Sequence, residues 1–130
     1  MQVCGDYDSA GYAHLAGLVP DAVARELVAQ VKDAIDHAPF PQQDLMRPAP
    51  PLKRPALEVY GYEHPPLLTF LWALTPTMSM LTKRDLLPTY SYFRVYREGD
   101  VCRVHSDRHA CEHSLSLTLA YSDQQPWSFE

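Results

Sequence analysis

Prolines constrain the fold of this chain strongly, because a proline lacks a backbone N–H and cannot continue a regular hydrogen-bonded ladder. Six of the twelve prolines lie within residues 39–55. The same segment is rich in polar side chains, namely Gln42, Gln43, Asp44, Arg47, Lys53 and Arg54. We therefore predict an extended polar loop rather than a packed element. Such a loop either flanks a substrate entrance or joins a helix to a strand, and the sequence leaves both interpretations open.

An amphipathic helix is predicted before this loop, over residues 21–38. Its apolar side chains recur at every fourth position, as Val23, Leu27, Val31 and Ile35. Pro39 cannot continue the helix. The apolar stripe indicates that the helix covers a sheet, and residues 11–19 before it are predicted to form a short strand or an extended entry.

A second helix is predicted after the loop. Pro65 and Pro66 favour a helix start, and an apolar face follows that includes Leu67, Leu71 and Leu74. Pro76 lies inside this pattern and is predicted to kink or split the helix.

Four strands are predicted from β-favouring and alternating residues, over residues 56–62, 89–96, 101–105 and 114–121. Gly99 provides a tight turn between the second and the third. The fourth alternates most regularly, with apolar side chains at Leu115, Leu117, Leu119 and Tyr121. Small residues on its opposite face leave room for a ligand.

Composition excludes several classes of protein. A chain of 130 residues with 46% hydrophobic residues is enough for one domain. The net charge of −5 and the lack of clustered Lys and Arg argue against a nucleic-acid partner. No apolar run is long enough to cross a membrane, and no secretory signal is read. Three cysteines without paired spacing fit a reducing compartment, so a cytoplasmic location is predicted.

The residues most suggestive of chemistry are His105 and Asp107. Positions i and i+2 of a strand point to the same face, so both side chains could reach one ion. Two histidines and one carboxylate on one face of an octahedron suit Fe(II). The pair supplies two of these three ligands, and the third is not visible in the sequence.

Two other interpretations compete with an iron site. In the first, His105, Cys111 and His113 hold zinc together with Asp107, as a structural clip without catalysis. In the second, the protein is a catalytically silent β-sandwich that binds a partner through the proline-rich loop, and the His/Asp pair is incidental.

Residues 86–127 resemble the first half of the catalytic core of an Fe(II)/2-oxoglutarate-dependent dioxygenase of the prolyl-4-hydroxylase-like type. The resemblance rests on the aromatic strand before the Gly99 turn and on the H-x-D motif after it. It implies that His105 and Asp107 bind Fe(II), and that Tyr96, nine positions before His105, hydrogen-bonds the cosubstrate 2-oxoglutarate. Arg94 shares a strand face with Tyr96, and it either pairs with an acid of the fold or meets an acidic ligand.

The resemblance also implies an α+β protein whose core is a double-stranded β-helix, or jelly roll, supported by N-terminal helices. Residues 1–130 would form a single partial domain. Residues 1–85 would be the helical support and first strands, and residues 86–130 the first half of the metal-binding core. At most six strand candidates are present, including one that starts at Trp127, against the eight of a jelly roll. The chain is therefore expected to be truncated at its C-terminus.

The distal histidine of this family, and the Arg or Lys that binds the far carboxylate of 2-oxoglutarate, would lie beyond Glu130. The implied activity is hydroxylation of an unassigned small-molecule or peptidyl substrate. Peptidyl proline, a free amino acid and a small metabolite all remain open, and the oligomeric state is not indicated.

Overall fold

The computed structural model describes residues 1–123 and residue 125, and within them the protein is a mixed helix and sheet structure. Three α-helices accompany two antiparallel sheets in this part of the chain. The α+β class predicted from the sequence is confirmed, whereas the described residues do not close into a jelly-roll barrel. The predicted strand start at Trp127 lies outside the described residues.

A small hairpin forms the N-terminus. Strands β1 (Gln2–Cys4) and β2 (His14–Ala16) pair antiparallel, and the short helix α1 (Tyr7–Ala10) lies between them. The Asp6 side chain caps α1 by accepting a hydrogen bond from the backbone N–H of Asp8 at 3.1 Å. Of the two predictions for residues 11–19, the short strand is therefore the correct one.

Helix α2 (Asp21–Asp36) forms where the periodic apolar pattern predicts it. Its stripe buries Leu27 and Val31 in the main core, with Ile35 packed against them. The other members of this core come from the loop, the sheet and the second long helix, namely Leu45, Leu57, Val59 and Leu67. Burial of this stripe fixes α2 against the sheet, as expected for an amphipathic helix.

Helix α3 (Pro65–Thr82) is continuous and contains Pro76, so this proline does not split the helix, one of the two predicted outcomes. Pro76 lies on the exposed side, where water can solvate the carbonyl left without a donor. The hydroxyl of Thr75 donates to the carbonyl of Leu71 at 2.9 Å, which satisfies a neighbouring acceptor. The helix therefore tolerates a proline because the affected turn does not face the core.

The larger sheet has the strand order β3 (Met46–Arg47), β4 (Ala56–Tyr60), β5 (Tyr92–Val95). Its two faces differ sharply, because successive side chains of a strand alternate in direction. One face carries apolar side chains that pack in the core, Leu57 and Val59 of β4 with Phe93 and Val95 of β5. The other face pairs Glu58 with Arg94 and Tyr60 with Tyr92. The sheet thus presents a charged and aromatic face on the side away from the core.

The proline-rich segment is more ordered than predicted. Residues Gln42–Leu45 form a 3-10 helix, Met46 and Arg47 form β3, and the side chains of Leu45 and Leu52 are buried. Its second half binds the chain that follows β5, through Lys53 N–H to Val101 O at 2.9 Å and Arg103 N–H to Pro51 O at 2.7 Å. The prediction of an unpacked loop is therefore wrong, because two leucines among the prolines are buried.

Two predicted strands near the C-terminus are not formed. Residues 101–105 contribute only an isolated bridge between Cys102 and Leu52, and residues 114–121 have no strand pairing. Only Leu119 among the alternating leucines packs against the core. Alternation predicts which side chains could share a face, but a strand also needs a neighbouring strand, and residues 114–121 pair with none in the described part of the chain.

None of the helices in the described residues combines the length and the apolar character that crossing a bilayer requires.

Candidate functional site

His105 and Asp107 lie side by side after the sheet, on a segment without regular secondary structure. Nε2 of His105 is 3.5 Å from Oδ1 of Asp107. The two side chains are 41% and 43% exposed, so both are accessible from solvent. The expectation that they lie on a strand is wrong, but their side chains still come together.

A backbone contact fixes the orientation of the imidazole. Nδ1 of His105 lies 2.7 Å from the carbonyl oxygen of Arg103. A carbonyl can only accept, so Nδ1 carries a proton, and Nε2 is the ring nitrogen that faces Asp107. Metal-binding histidines commonly have this arrangement, with one ring nitrogen donating to a carbonyl and the other free to bind the metal.

A hydrogen bond from a side chain engages the carboxylate of Asp107. The hydroxyl of Ser114 donates to Oδ2 of Asp107 at 2.5 Å, a short hydrogen bond of the kind that an ionised acceptor makes. The opposite oxygen, Oδ1, is the one that faces His105. The two carboxylate oxygens of Asp107 therefore have different partners.

The side chain of Cys102 interacts with both His105 and Tyr96. Its sulfur lies 4.0 Å from Nδ1 of His105. Burial raises the pKa of Tyr96, the hydrogen bond and charge of Arg94 lower it, and interaction with Cys102 raises it further. Tyr96 thus interacts with Cys102, whose sulfur contacts His105.

Arg94 pairs with an acid of the fold, which is the first of the two alternatives that the sequence left open. Its Nε donates to Oε1 of Glu58 at 2.7 Å, and Nη2 lies 2.5 Å from the same oxygen. Glu58 is 2% and Arg94 is 12% exposed, so the pair is largely shielded from water. Nη1 of Arg94 also donates to the hydroxyl of Tyr96 at 2.8 Å.

The charge of Arg94 is stabilised by these contacts. Burial works to lower the pKa of Arg94, but hydrogen bonds with Tyr96 and Glu58 outweigh it and raise the pKa above its ordinary value. The guanidinium also lies over the rings of Tyr92 and Tyr96, at 4.9 and 5.6 Å from their centroids. Arg94 therefore acts as a fixed positive group between Glu58 and Tyr96.

Tyr90 and Arg108 extend the aromatic face toward Asp107. The guanidinium of Arg108 lies 5.1 Å from the centroid of the Tyr90 ring. A hydrogen bond with Cys111, followed by burial, raises the pKa of Tyr90 to about 12, and the charge of Asp107 adds to this shift. The electrostatic effect places Asp107 near the same face of the sheet as the tyrosines.

The side chains proposed for a zinc clip do not meet in one place. His113 is engaged with Tyr7, whose hydroxyl lies 2.8 Å from Nδ1 of the imidazole. Cys111 interacts with Tyr90 instead. Across residues 1–123 and 125, no group of three or more His, Cys, Asp or Glu side chains is close enough to hold a metal ion. His109 is exposed.

A cavity of about 330 Å³ opens beside this segment. It lies between the N-terminal hairpin region, the end of α3 and residues 107–115, and its lining includes Asp107, Ser114, His113 and Tyr7. Its volume is at the lower end of the range for small-molecule sites. Asp107 is thus accessible from a concave surface.

The sequence analysis did not name three partners in the site, and only one of them could have been found there. Glu58 is the sole acid in the apolar strand β4, so a buried partner for Arg94 was predictable. Ser114 is seven residues from Asp107 and Arg103 acts through its backbone, and neither contact leaves a pattern in the sequence.

Comparison with protein-family models, with curated proteins and with solved structures finds no significant match to this chain.

Proposed function

We propose that this chain carries the metal-binding part of an Fe(II)- and 2-oxoglutarate-dependent oxygenase, in which His105 and Asp107 are two of the protein ligands. The observation that supports it is the orientation of the pair. His105 donates through Nδ1 to Arg103 O, and its Nε2 faces Oδ1 of Asp107 at 3.5 Å. A ring nitrogen and a carboxylate oxygen that face each other favour a cation, or a proton, between them.

The pair fits a divalent ion with little adjustment. Donor atoms that bind one metal at about 2.1 Å in neighbouring positions lie roughly 3 Å apart. Nε2 and Oδ1 need to approach by only about half an ångström from their present separation. The described residues supply no third ligand, so we expect weak binding. We propose that β3, β4 and β5 belong to one sheet of a double-stranded β-helix.

Each residue on the sheet face has a role in this proposal. Fe(II), if bound here with 2-oxoglutarate, would activate O2: one oxygen atom would end in succinate, formed with CO2 from 2-oxoglutarate, and the other would be inserted into a substrate C–H bond. Tyr96 contributes a hydroxyl to the cosubstrate, and Arg94 holds that hydroxyl at 2.8 Å while its own charge is neutralised by Glu58. Arg94 therefore contributes to cosubstrate binding through Tyr96 rather than directly.

The substrate is proposed to be a small molecule or a peptidyl group taken from the cytoplasm. The acidic net charge of −5 favours neither nucleic acid nor an anionic membrane surface as a partner.

Metal titration tests the proposal. We expect the protein to bind Mn(II), as a stand-in for Fe(II), and the affinity to fall by about tenfold or more in His105→Ala and in Asp107→Ala, because each change removes one of two ligands. His109→Ala is the matched control, since His109 is an exposed histidine of the same segment. Electron paramagnetic resonance of free Mn(II) measures the affinity.

Equal affinity in all four proteins would contradict the assignment. Tight zinc binding that is lost in Cys111→Ser would instead support the zinc clip.

A further inference from the structure

The two carboxylate oxygens of Asp107 face two different neighbouring side chains. Oδ2 accepts the hydroxyl of Ser114 at 2.5 Å, and Oδ1 faces Nε2 of His105 at 3.5 Å. Asp107 and Ser114 are both exposed, and neither lies in a helix or a strand. Regular secondary structure therefore does not determine where this carboxylate points.

An exposed aspartate without such a contact would sample several rotamers. Its χ1 has three staggered wells, and rotation between them moves the carboxylate by several ångströms. A hydrogen bond to an ionised oxygen is among the stronger contacts available at a protein surface. The Ser114 hydroxyl is the only hydrogen-bond donor to Asp107 seen in the described residues.

We propose that Ser114 is a positioning residue, which holds Asp107 so that Oδ1 points at Nε2 of His105. This inference rests on the proposed metal-binding function of the pair. Ser114 does not touch the metal in this arrangement and acts through Asp107. Arg103 plays the equivalent part for His105 through its carbonyl, at 2.7 Å from Nδ1. Each of the two metal-binding side chains thus has one supporting hydrogen bond.

The hydrogen bonds of Asp107 with Ser114 and of His105 with Arg103 O are expected to affect metal affinity in the same way. Binding a metal with freely rotating side chains requires ordering them, and that entropy loss weakens the affinity. A hydrogen bond that selects the binding rotamer beforehand removes much of this loss. Partners of this kind typically alter metal affinity by about 10–100-fold when removed.

Mn(II) affinity provides the first test, with three variants of similar size. Ser114→Ala removes the hydroxyl and is expected to weaken Mn(II) binding by about tenfold. Ser114→Thr keeps the hydroxyl and is expected to bind within about twofold of the unchanged protein. Ser116→Ala, an exposed serine two residues along, is the control and should have no effect. Unchanged affinity in Ser114→Ala, while Asp107→Ala weakens binding, would overturn the positioning role.

The side-chain rotamer of Asp107 provides a second test that needs no metal. Three-bond couplings at Cβ, measured by NMR on the metal-free protein, should indicate one dominant χ1 rotamer in the unchanged protein and in Ser114→Thr, and averaging in Ser114→Ala. Equal averaging in all three would overturn the proposal. If Asp107→Ala leaves Mn(II) affinity unchanged, the metal-binding function fails, and the couplings still decide whether Ser114 orients Asp107.

Discussion

At the scale of single residues, the ion pair of Glu58 and Arg94 is the feature with the largest expected effect on stability. Glu58 lies in an otherwise apolar strand and is 2% exposed. A buried carboxylate is tolerated because Arg94 bonds it through two nitrogens. Removing one member leaves the other charge buried without compensation.

Glu58→Ala is therefore expected to lower the free energy of unfolding by about 3 kcal/mol or more, as measured by urea denaturation. Asp8→Ala is the comparison, because it removes an exposed ion pair with Lys83 and is expected to cost far less than Glu58→Ala. Replacing both members, as Glu58→Leu with Arg94→Met, should restore most of the stability. Equal losses in Glu58→Ala and Asp8→Ala would show that the pair is not effectively buried.

The raised pKa of Tyr90 predicts that the stability of the protein depends on pH in the alkaline range. The hydrogen bond with Cys111 and burial raise its pKa to about 12 from 10.0, so the folded protein holds this proton more tightly than the unfolded chain does. Stability from this group is complete below pH 10 and is lost as the pH rises toward 12. We expect the free energy of unfolding to fall over that interval, and to fall less in Tyr90→Phe. A slope that is identical in Tyr90→Phe would assign the effect to other tyrosines.

At the scale of elements, the junction between β4 and α3 depends on Gly61. A Cβ at this position would lie 2.6 Å from Cδ2 of Leu68 and 2.9 Å from Oγ of Ser91. The backbone N–H of Gly61 also donates to the carbonyl of Ser91 at 2.9 Å, so the chain cannot move away without losing a hydrogen bond. A larger residue at this junction therefore fits only if the side chains of Leu68 and Ser91 shift.

Gly61→Ala is expected to destabilise the protein by about 1–3 kcal/mol in urea denaturation, because the added methyl group overpacks this junction. The double variant Gly61→Ala with Leu68→Ala should lose less than the sum of the two single changes, since it removes the nearest contact. Strict additivity would indicate that Leu68 moves aside without cost.

The elements that the sequence predicted correctly are those whose signal lies within one short stretch of residues. The period of α2 is set by Leu27 and Val31, and the start of α3 by Pro65, so both helices were predictable within a few residues. Strand β4 was predictable because its β-favouring residues form one short alternating run. The alternation of residues 114–121 is as regular, yet no strand forms, because pairing depends on a partner that a single segment does not specify.

The candidate site was predictable only in part. The spacing of His105 and Asp107 indicated that the two side chains could meet, and they do, although the backbone that brings them together is not a strand. The contacts with Arg103 and Ser114 depend on loop conformation. Loop conformation follows from long-range packing, which the sequence pattern does not encode.

At the scale of the whole molecule, the segment bearing His105 is attached to the rest of the protein through the proline-rich segment. Arg103 N–H donates to Pro51 O, and its Nη1 donates to Leu52 O at 3.3 Å. Arg54 reaches the preceding turn, with Nε donating to Asp100 at 2.8 Å and Nη2 to the carbonyl of Glu98 at 2.7 Å. The two segments are about fifty residues apart in the sequence and are held together on both sides of the bridge between Leu52 and Cys102.

This attachment predicts the order in which a protease cuts the chain. Trypsin requires several residues around an Arg or Lys to detach from the fold. Arg103 is held by backbone bonds to the proline-rich segment, whereas Arg108 lies beyond them on irregular chain. In limited digestion followed by mass spectrometry, we expect cleavage after Arg108 to precede cleavage after Arg103, and the product ending at Arg108 to keep the sheet. A weakened anchor, as in Arg54→Ala, should bring the two cleavage rates closer together.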